Sequence, residues 1–331
     1  MPVASPKSRP YFSLLVANYN NSRYLAKCIQ SIYDQSFTDW EIVIVDDGST
    51  DEFEEVISCY EQDARIRIFY NDKNMGCSFT KNRLASIGEG VVLAFLDPDD
   101  TLHNEALEEM ETAHRNHPEC SLIYSTHYIC DELLTPYRVA DYPKALPYNT
   151  PYLLLSDGSV HAFASFKKAC YDAGDPLSKD RHLDKAIDQE LYYLLEERGD
   201  LFFIDKPLYY YRIHPGSISN MGKEYEAANA HYEIIMERCR KRIEKLLEAN
   251  TPEATRSIRR YNTRYHRIRI IYSLRQKKWG SMLSSLLQYP FIGGGSHLWS
   301  YLAKLPRERM SLIRKTLGNY KIHVEKEKKV S

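Results

Sequence analysis

Short apolar runs alternate with amphipathic stretches over the first third of the chain. An apolar run that ends at a polar cluster predicts a buried strand, and apolar residues spaced three and four apart predict a helix. The predicted strands span residues 11–17, 41–45, 66–70, 91–96 and 121–125. Strands that alternate with helices in this way are typical of an α/β fold, here with a Rossmann-like, mostly parallel central sheet flanked by helices.

Three of these strands end in side chains that can bind ligands. Asn18 follows the first strand, Asp46 and Asp47 follow the second, and Asp97 follows the fourth. If the three strands are neighbours, these side chains share the carboxyl edge of the sheet, where open α/β folds bind ligands. The sequence contains neither the dinucleotide pattern GxGxxG nor the P-loop pattern GxxxxGK[ST], so a bound diphosphate would need a metal to offset its charge.

The fourth strand runs abruptly into three carboxylates, Asp97, Asp99 and Asp100. Pro98 favours an extended conformation for Asp97, and in an extended segment the Asp97 and Asp99 side chains would point the same way. Two hard oxygen ligands side by side suit Mg²⁺ or Mn²⁺. The alternative is a polar turn, since Asp-Pro-Asp-Asp also favours turns. Asp100 is expected to cap the turn before the next helix.

The second half of the chain is patterned less regularly. Residues 131–165 predict loops and short strands, residues 184–198 a helix, residues 201–204 and 208–214 two strands, and residues 223–250 a long helix. The composition changes near residue 222, which divides the chain into a domain over residues 1–222 and a mostly helical, basic region over residues 223–331. Residues 256–278 carry nine Arg or Lys and no acidic residue, interleaved with Tyr, Ile and Leu.

The overall composition is that of an ordinary globular protein. Of 331 residues, 43% are hydrophobic and 27% charged, and the net charge of −1 gives no reason to expect a nucleic-acid partner. The seven cysteines are scattered, without CxxC spacing, which favours free thiols in a reducing compartment. No run reaches the length of a membrane span and no signal segment is evident, so a cytoplasmic protein is expected.

Six motifs, in this order, resemble those of the family 2 glycosyltransferases of GT-A fold. They are Val16-Ala-Asn-Tyr-Asn20, Val45-Asp-Asp-Gly-Ser-Thr-Asp51, Asn74-Met-Gly76, Phe95-Leu-Asp-Pro-Asp-Asp100, Ile187-Asp-Gln-Glu190 and Tyr211-Arg-Ile-His214. The resemblance covers roughly residues 10–220. It implies an inverting, metal-dependent enzyme of the DxD type. Such an enzyme transfers a hexose or N-acetylhexosamine from a nucleotide-sugar, here a UDP-sugar, to a saccharide or lipid-linked saccharide hydroxyl in surface polysaccharide synthesis.

The resemblance also implies roles for individual residues. The nucleotide-binding residues would be Ala17, Asn18, Tyr19, Asp47, Lys81 and Asp97, and the ligands of Mg²⁺ or Mn²⁺ would be Asp97, Asp99 and His214. Asp47 would accept the uracil N3–H, a contact that an ionised carboxylate makes with uridine. Ala17-Asn18 stand where many relatives have Pro-Thr.

Asp188 would be the general base that takes the proton of the acceptor hydroxyl. Relatives carry an acidic pair at this place, and here Ile187 replaces its first member. Without the resemblance, Asp188 reads as an acid in the first turn of a helix, favoured by the helix dipole.

Two alternatives to this function follow from the same residues. The loss of the acid at Ile187 also fits a non-catalytic nucleotide-sugar-binding protein of the same fold. A nucleotidyltransferase is disfavoured, because no basic Gly-rich loop lies near the first strand. The basic C-terminal region resembles an interfacial helix at the inner face of a membrane; the alternative is a helical region that packs on the core or on a second subunit in a homo-oligomer.

Overall fold

The computed structural model describes residues 9–216, 224–249 and 251–288, and the predicted C-terminal region beyond residue 288 lies outside this range. The strands are β1 Phe12–Asn18, β2 Trp40–Asp46, β3 Ile66–Tyr70, β4 Val92–Phe95, β5 Thr101–Leu102, β6 Cys120–Cys130, β7 Pro136–Val139, β8 Ala164–Lys167 and β9 Asp200–Arg212. The helices are α1 Ser22–Tyr33, α2 Phe53–Ile57, α3 Cys77–Ile87, α4 Ala106–Asn116, α5 Tyr152–Leu155, α6 Lys168–Asp172, α7 Ile187–Leu195, α8 Glu224–Ala249, α9 Pro252–Arg275 and α10 Trp279–Gln288, with a 3₁₀ segment Arg181–Ala186 before α7.

The strands form one sheet in the order β3-β2-β1-β4-β8-β6-β9-β5, and β7 pairs with β6. β1 is parallel to β2 and β4, and β2 is parallel to β3. The first, second and fourth predicted strands are therefore neighbours, and their carboxyl ends share one edge. β8 is antiparallel to both β4 and β6, so β4 and β6 run the same way. The amino end of β6 consequently lies at the opposite edge.

The core explains why these segments become strands and helices. β1 and β2 are buried along almost their whole length, as expected for strands covered on both faces. In α1, Leu25, Cys28, Ile29 and Ile32 are fully buried, and their spacing of three and four places them on one face. Complete burial of a Leu or Ile side chain contributes about 1.5–3 kcal/mol, so such stripes hold the helices on the sheet.

Between residues 180 and 214 the structure differs from the sequence prediction in two places. The helix expected over residues 184–198 is divided into the 3₁₀ segment and α7. The two strands expected over residues 201–204 and 208–214 are one strand, β9, parallel to β6 with a register shift beside Pro207. Proline lacks an N–H, and a strand accommodates it at such an irregularity.

The chain divides into two compact units, Met1–His231 and Tyr232–Ser331, so the division falls within α8. In the second unit, α9 buries Tyr261, Ile268 and Ile270, and the Arg242 guanidinium donates to the Tyr261 hydroxyl at 3.0 Å. Among the described residues, none of the helices combines the length and apolar character needed to cross a bilayer.

Candidate active site

A buried lysine lies between two of the carboxylates predicted for the site. Lys81 is in the second turn of α3, and its side chain is 6% exposed. Its Nζ is 2.6 Å from Oδ1 of Asp188, in the first turn of α7, and 3.7 Å from Oδ1 of Asp97, directly after β4. The fold therefore brings together residues from two separate motifs, Asp97 and Asp188, and a lysine of α3 that lies outside the motifs.

Asp184 fixes α7 relative to α3. Its carboxylate accepts the backbone N–H groups of Cys77 at 3.1 Å and Ser78 at 2.9 Å. These are free amides in the first turn of α3, where a carboxylate is also favoured by the helix dipole. Gly76 occupies the N-cap position and has no side chain to cap the helix itself. The cap comes from four residues before Asp188, and sequence reasoning did not single it out.

The environment of Asp97 shifts its titration. Burial raises the pKa of Asp97 to about 6, Lys81 opposes this rise, and the neighbouring Asp188 adds to it. Like charges so close together disfavour the ionised form, whereas the lysine favours it. With both carboxylates ionised, the cluster of Lys81, Asp97 and Asp188 carries a net negative charge, which suits a cation or a cationic group on a ligand.

Residues 97–100 form a turn, because the Asp100 N–H donates to the Asp97 carbonyl at 3.1 Å. The chain therefore turns at Pro98 and Asp99 and is not extended from Asp97 to Asp99, as the sequence analysis assumed. In a turn the two side chains need not point the same way, and here Asp97 faces Lys81 while Asp99 faces His214. The four residues Asp-Pro-Asp-Asp thus form a turn and also present the carboxylates of Asp97 and Asp99 to two different partners.

Asp99 and His214 form a hydrogen-bonded pair, with Oδ2 of Asp99 at 2.9 Å from Nε2 of the imidazole. The histidine side chain is 2% exposed. Its Nδ1 lies 3.2 Å from the Gly216 N–H and 3.4 Å from the Arg23 guanidinium. Both groups are donors, so Nδ1 accepts and Nε2 carries the hydrogen that Asp99 accepts.

Asp100 ties the turn to β9, whereas the sequence analysis expected it to cap the turn before the next helix. Its carboxylate accepts the Tyr209 hydroxyl and the Arg212 backbone N–H, each at 2.7 Å. At the start of α4, Glu105 is in the N-cap position and makes no side-chain cap hydrogen bond. Because β9 continues directly to His214, the Asp100 contacts also set the distance between Asp99 and its histidine.

Asp47 is 4% exposed and is largely occupied by the protein. It accepts the Asn71 side-chain amide at 2.6 Å and the backbone N–H groups of Met75 at 2.8 Å and Gly76 at 2.9 Å. A carboxylate offers about four acceptor positions, so one remains for a further donor. The contacts hold the turn Asn74-Met75-Gly76, in which Gly76 has a φ of 98°, against the end of β2.

The remaining predicted nucleotide-binding residues lie at the end of β1. Ala17 pairs with Val45 of β2, and Asn18 is buried, its side-chain amide donating to Asp46 at 2.9 Å. Tyr19 directly follows and is 44% exposed. Its ring is therefore available to a ligand at this edge, while Asn18 serves to join β1 to β2.

Lys81, Asp97 and Asp188 line one pocket, whose walls are otherwise apolar or aromatic. The other lining residues are Phe95, Ala162, Ala164, Leu191, Tyr192 and Tyr209. Sequence reasoning missed all six, because they come from strands and helices whose burial pattern does not distinguish a pocket wall from the core. Arg212 was also missed, although it lies in the Tyr211-Arg-Ile-His214 motif.

The predicted metal ligands fit a hard divalent cation in their chemistry, with two carboxylates and one imidazole. The 2.9 Å between Asp99 and His214 matches the separation of about 3 Å between neighbouring ligands of an octahedral ion with bonds of about 2.1 Å. Nε2 can bind an ion only after it loses its hydrogen, which would have to move to Nδ1. The two donors that now face Nδ1 would then have to turn away.

Comparison with known proteins bears on the family and the fold. The family model that matches residues 13–173 is that of Glycosyl transferase family 2. Chondroitin synthase of Escherichia coli is 26% identical over 235 residues, which are 71% of this chain and 33% of that protein. The chain thus spans about a third of the length of this curated relative.

Two solved structures share the fold. S. aureus TarS 1–349 in complex with UDP-GlcNAc has a TM-score of 0.60 and 16% identity, over 85% of this chain and 90% of that chain. The mannosyltransferase PcManGT from Pyrobaculum calidifontis, in complex with GDP-Man and Mn²⁺, has a TM-score of 0.50 and 11% identity, over 94% of this chain and 81% of that chain. The predicted GT-A fold is confirmed, with the α/β sheet described above.

Proposed function

Because this chain belongs to Glycosyl transferase family 2, we propose that it transfers a sugar from a nucleotide-sugar to a hydroxyl of a saccharide or lipid-linked saccharide, with inversion at the anomeric carbon. One observation carries the proposal: Asp97, Lys81 and Asp188 meet in one pocket at the carboxyl edge of the sheet. A carboxylate that can accept a proton and a lysine that can contact a diphosphate are there side by side.

Asp188 is the proposed general base. As the acceptor oxygen bonds to the anomeric carbon, its hydroxyl proton passes to Asp188, and the bond from that carbon to the diphosphate breaks. General-base catalysis of this kind contributes roughly 10²–10⁴-fold in rate. Oδ1 of Asp188 is paired with Lys81 at 2.6 Å, and the diphosphate of a bound donor would draw the lysine toward itself and leave this oxygen free to accept the proton.

Uracil is the proposed base of the donor nucleotide. Asp47 keeps one acceptor position, and a uracil N3–H would fill it. The TarS complex, which shares the fold, contains UDP-GlcNAc, whereas the mannosyltransferase contains GDP-Man. The local chemistry of Asp47 therefore favours a UDP-hexose or UDP-N-acetylhexosamine. Tyr19, Asn18 and Ala17 would lie beside the base at the end of β1.

Asp97, Asp99 and His214 are the residues that would hold Mg²⁺ or Mn²⁺. When bound, such an ion offsets the negative charge that develops on the leaving diphosphate. The mannosyltransferase of the same fold contains Mn²⁺, which supports a divalent cation here. In its absence His214 donates to Asp99 and keeps that carboxylate in place.

The C-terminal unit supports a proposal for the acceptor and the cellular location. We propose a cytoplasmic enzyme that meets a lipid-linked saccharide at the inner face of the membrane, in surface polysaccharide synthesis. On α9, Arg256, Arg259, Arg260 and Arg267 are exposed, which supports contact with an anionic surface. Packing against a second subunit is the alternative role of this region.

Asp188→Asn tests the proposed function. We expect release of UDP from UDP-GlcNAc or UDP-glucose in the presence of Mn²⁺ to fall at least 100-fold, because the amide cannot accept the proton. UDP binding by calorimetry should stay within about twofold. Asp205→Asn, at an exposed position, serves as the matched control and should keep full turnover.

Two results would contradict the proposal. Retained turnover in Asp188→Asn would remove Asp188 from the reaction. UDP binding without any UDP release by the wild-type protein, with either donor and added saccharide acceptors, would favour the alternative suggested by Ile187, a nucleotide-sugar-binding protein without transfer activity.

A further inference from the structure

We propose that His117, Glu119 and Cys120 form a zinc-binding site, separate from the candidate active site. Within the described ranges, these are the three metal-ligating side chains whose donor atoms all lie within 4.8 Å of one another. The site joins the end of α4 to the first residue of β6. Nothing in the proposed glycosyl transfer uses these residues.

The distances between the donor atoms fit a tetrahedral zinc ion. Nδ1 of His117 is 3.3 Å from Oε1 of Glu119, and Sγ of Cys120 is 3.8 Å from the same oxygen. Zinc bonds of about 2.0–2.3 Å to O, N and S place neighbouring tetrahedral ligands roughly 3.3–3.7 Å apart. Small side-chain rotations would therefore suffice to bring the three donors onto one ion.

The backbone that carries these side chains is held rigidly. The Cys120 N–H donates to the His117 carbonyl at 3.1 Å, and the Asp200 N–H donates to the Glu119 carbonyl at 3.3 Å. A Cβ at Gly199 would lie only 2.6 Å from the Glu119 carbonyl oxygen, so β9 approaches this turn as closely as a glycine allows. The Lys167 ammonium also contacts the Pro118 carbonyl.

The histidine ring is fixed as well. It stacks on Phe202 with the ring centroids 3.7 Å apart and the planes inclined by 24°. In the stacked ring, Nδ1 faces Oε1 of Glu119. Less side-chain freedom is then lost when an ion binds, which is the usual condition for a site with few ligands.

The donor set selects the ion. One thiolate, one imidazole and one carboxylate suit zinc, whereas Mg²⁺ and Mn²⁺ prefer oxygen ligands. Three protein ligands leave a fourth position on the solvent side, where Glu119 is 55% exposed, and water can fill it. Burial raises the pKa of the Cys120 thiol to about 12, so zinc must displace a proton as it binds.

The place of the site in the sheet indicates a structural role. Cys120 begins β6, and the amino end of β6 lies at the edge opposite the carboxyl ends of β1, β2 and β4. An ion here would cross-link the end of α4 to the start of β6 without touching the pocket of Asp188. We therefore expect zinc to raise thermal stability and to leave turnover unchanged.

Titration of metal-stripped full-length protein with Co²⁺ tests the site. We use the Asp99→Ala background, which weakens the other candidate cation site. Cobalt bound to a thiolate gives an intense charge-transfer absorption in the near ultraviolet that oxygen ligands do not give. We expect this band to saturate at one Co²⁺ per chain, and Zn²⁺ to remove it. Cys59→Ser, at an exposed thiol, should keep the band.

In the same background, Cys120→Ser should lose the band. Both Cys120→Ser and His117→Ala should lose the increase in Tm that Zn²⁺ gives the parent protein. His117→Gln and Glu119→Gln replace ligands at exposed or half-exposed positions and keep the measurement interpretable if Cys120→Ser does not fold. No charge-transfer band in the parent protein, or a band that survives in Cys120→Ser, would overturn the proposal.

Discussion

At the scale of single residues, Lys81 determines the state of the proposed base. Its ammonium is almost fully buried and contacts Asp188 at 2.6 Å and Asp97 at 3.7 Å. Removing one partner of a buried ion pair leaves an uncompensated charge, which is more harmful than losing the attraction alone. Lys81 is therefore expected to position Asp188 as well as to approach a diphosphate.

Lys81→Met is expected to lower kcat for UDP release at least 10-fold, because Asp188 and Asp97 then repel each other without a cation between them. Lys81→Arg keeps the charge and should recover part of the loss. Lys27→Met, at an exposed position of α1, is the control. An unchanged kcat in Lys81→Met, measured at saturating donor, would show that the lysine does not position the base.

The buried histidines make stability depend on pH. Burial lowers the pKa of His114 to about 3, with Lys167 adding to the effect, and burial together with His161 lowers the pKa of His127 to about 3. A histidine titrates near about 6.5 in the unfolded chain. The unfolded state therefore binds more protons between these values, and stability is full above pH 6.5 and falls on acidification.

We expect His114→Gln to reduce the fall in Tm between pH 7 and pH 5. The glutamine does not titrate, and it can still hydrogen-bond Ser165, which His114 contacts through Nε2 at 2.9 Å. His182→Gln, at an exposed position, should leave the fall in Tm unchanged. The comparison is of slopes against pH by thermal unfolding, so a uniform loss of stability in the variant does not affect it. Equal slopes in His114→Gln and wild type would contradict the assignment.

The candidate site could be predicted residue by residue only in part. The motifs led to Asp97, Asp99, Asp188 and His214, and the family resemblance led to Lys81, which lies outside the motifs. The fold brings Lys81, Asp97 and Asp188 together and pairs Asp99 with His214. The contacts of Asp188 with Lys81 and of Asp99 with His214 could not be predicted, because they join residues 107 and 115 positions apart in sequence.

At the scale of elements, α3 and α7 are joined by a cap that neither helix supplies to itself. We expect Asp184→Ala to lower the free energy of unfolding by about 1 kcal/mol, the usual cost of losing an N-terminal cap, and to lower turnover because α7 carries Asp188. Asp184→Asn keeps an acceptor oxygen and should lose less of both. Urea unfolding and UDP release measure the two effects, and wild-type stability in Asp184→Ala would show that the cap contributes nothing.

Strands were predicted best where a continuous run of buried apolar residues marks them in the sequence. β1, β2 and β4 follow from apolar runs that are almost fully buried, and β3 follows from a shorter run that is half-buried at the edge of the sheet. β5 and β8 have two and four residues, and their pairing depends on strands distant in sequence, so no local pattern reveals them. Pro207 made one strand resemble two, since local reasoning takes a proline as a strand end.

At the scale of the whole molecule, the order of motifs was enough to predict the GT-A fold, but not the full order of strands. The parallel part from β3 to β4 follows from the alternation of strands and helices. The antiparallel β8 between β4 and β6 depends on long-range pairing. The proposed division into a catalytic domain and a basic helical region rests on a change of composition near residue 222. Composition does not determine which helices pack together.

The second unit leads to a prediction for the whole chain. Tyr261, Ile268 and Ile270 of α9 are buried, so these apolar side chains are not available for insertion into lipid. We expect the protein to sediment with vesicles rich in anionic lipid at low salt and to be released by 0.5 M NaCl, since the exposed arginines of α9 would hold it through their charge. Sedimentation with neutral vesicles, or none with anionic ones, would contradict this prediction.

The contact between Lys81 and Asp188 also bears on the order in which the two substrates bind. An acceptor that arrives first meets a carboxylate already engaged by the lysine, whereas an acceptor that arrives after the donor finds the lysine drawn toward the diphosphate. From the proposed role of Asp188 we therefore expect a compulsory order, in which the donor binds first and the nucleotide product leaves last. Initial-rate kinetics would then show UDP competing with the donor but not with the acceptor.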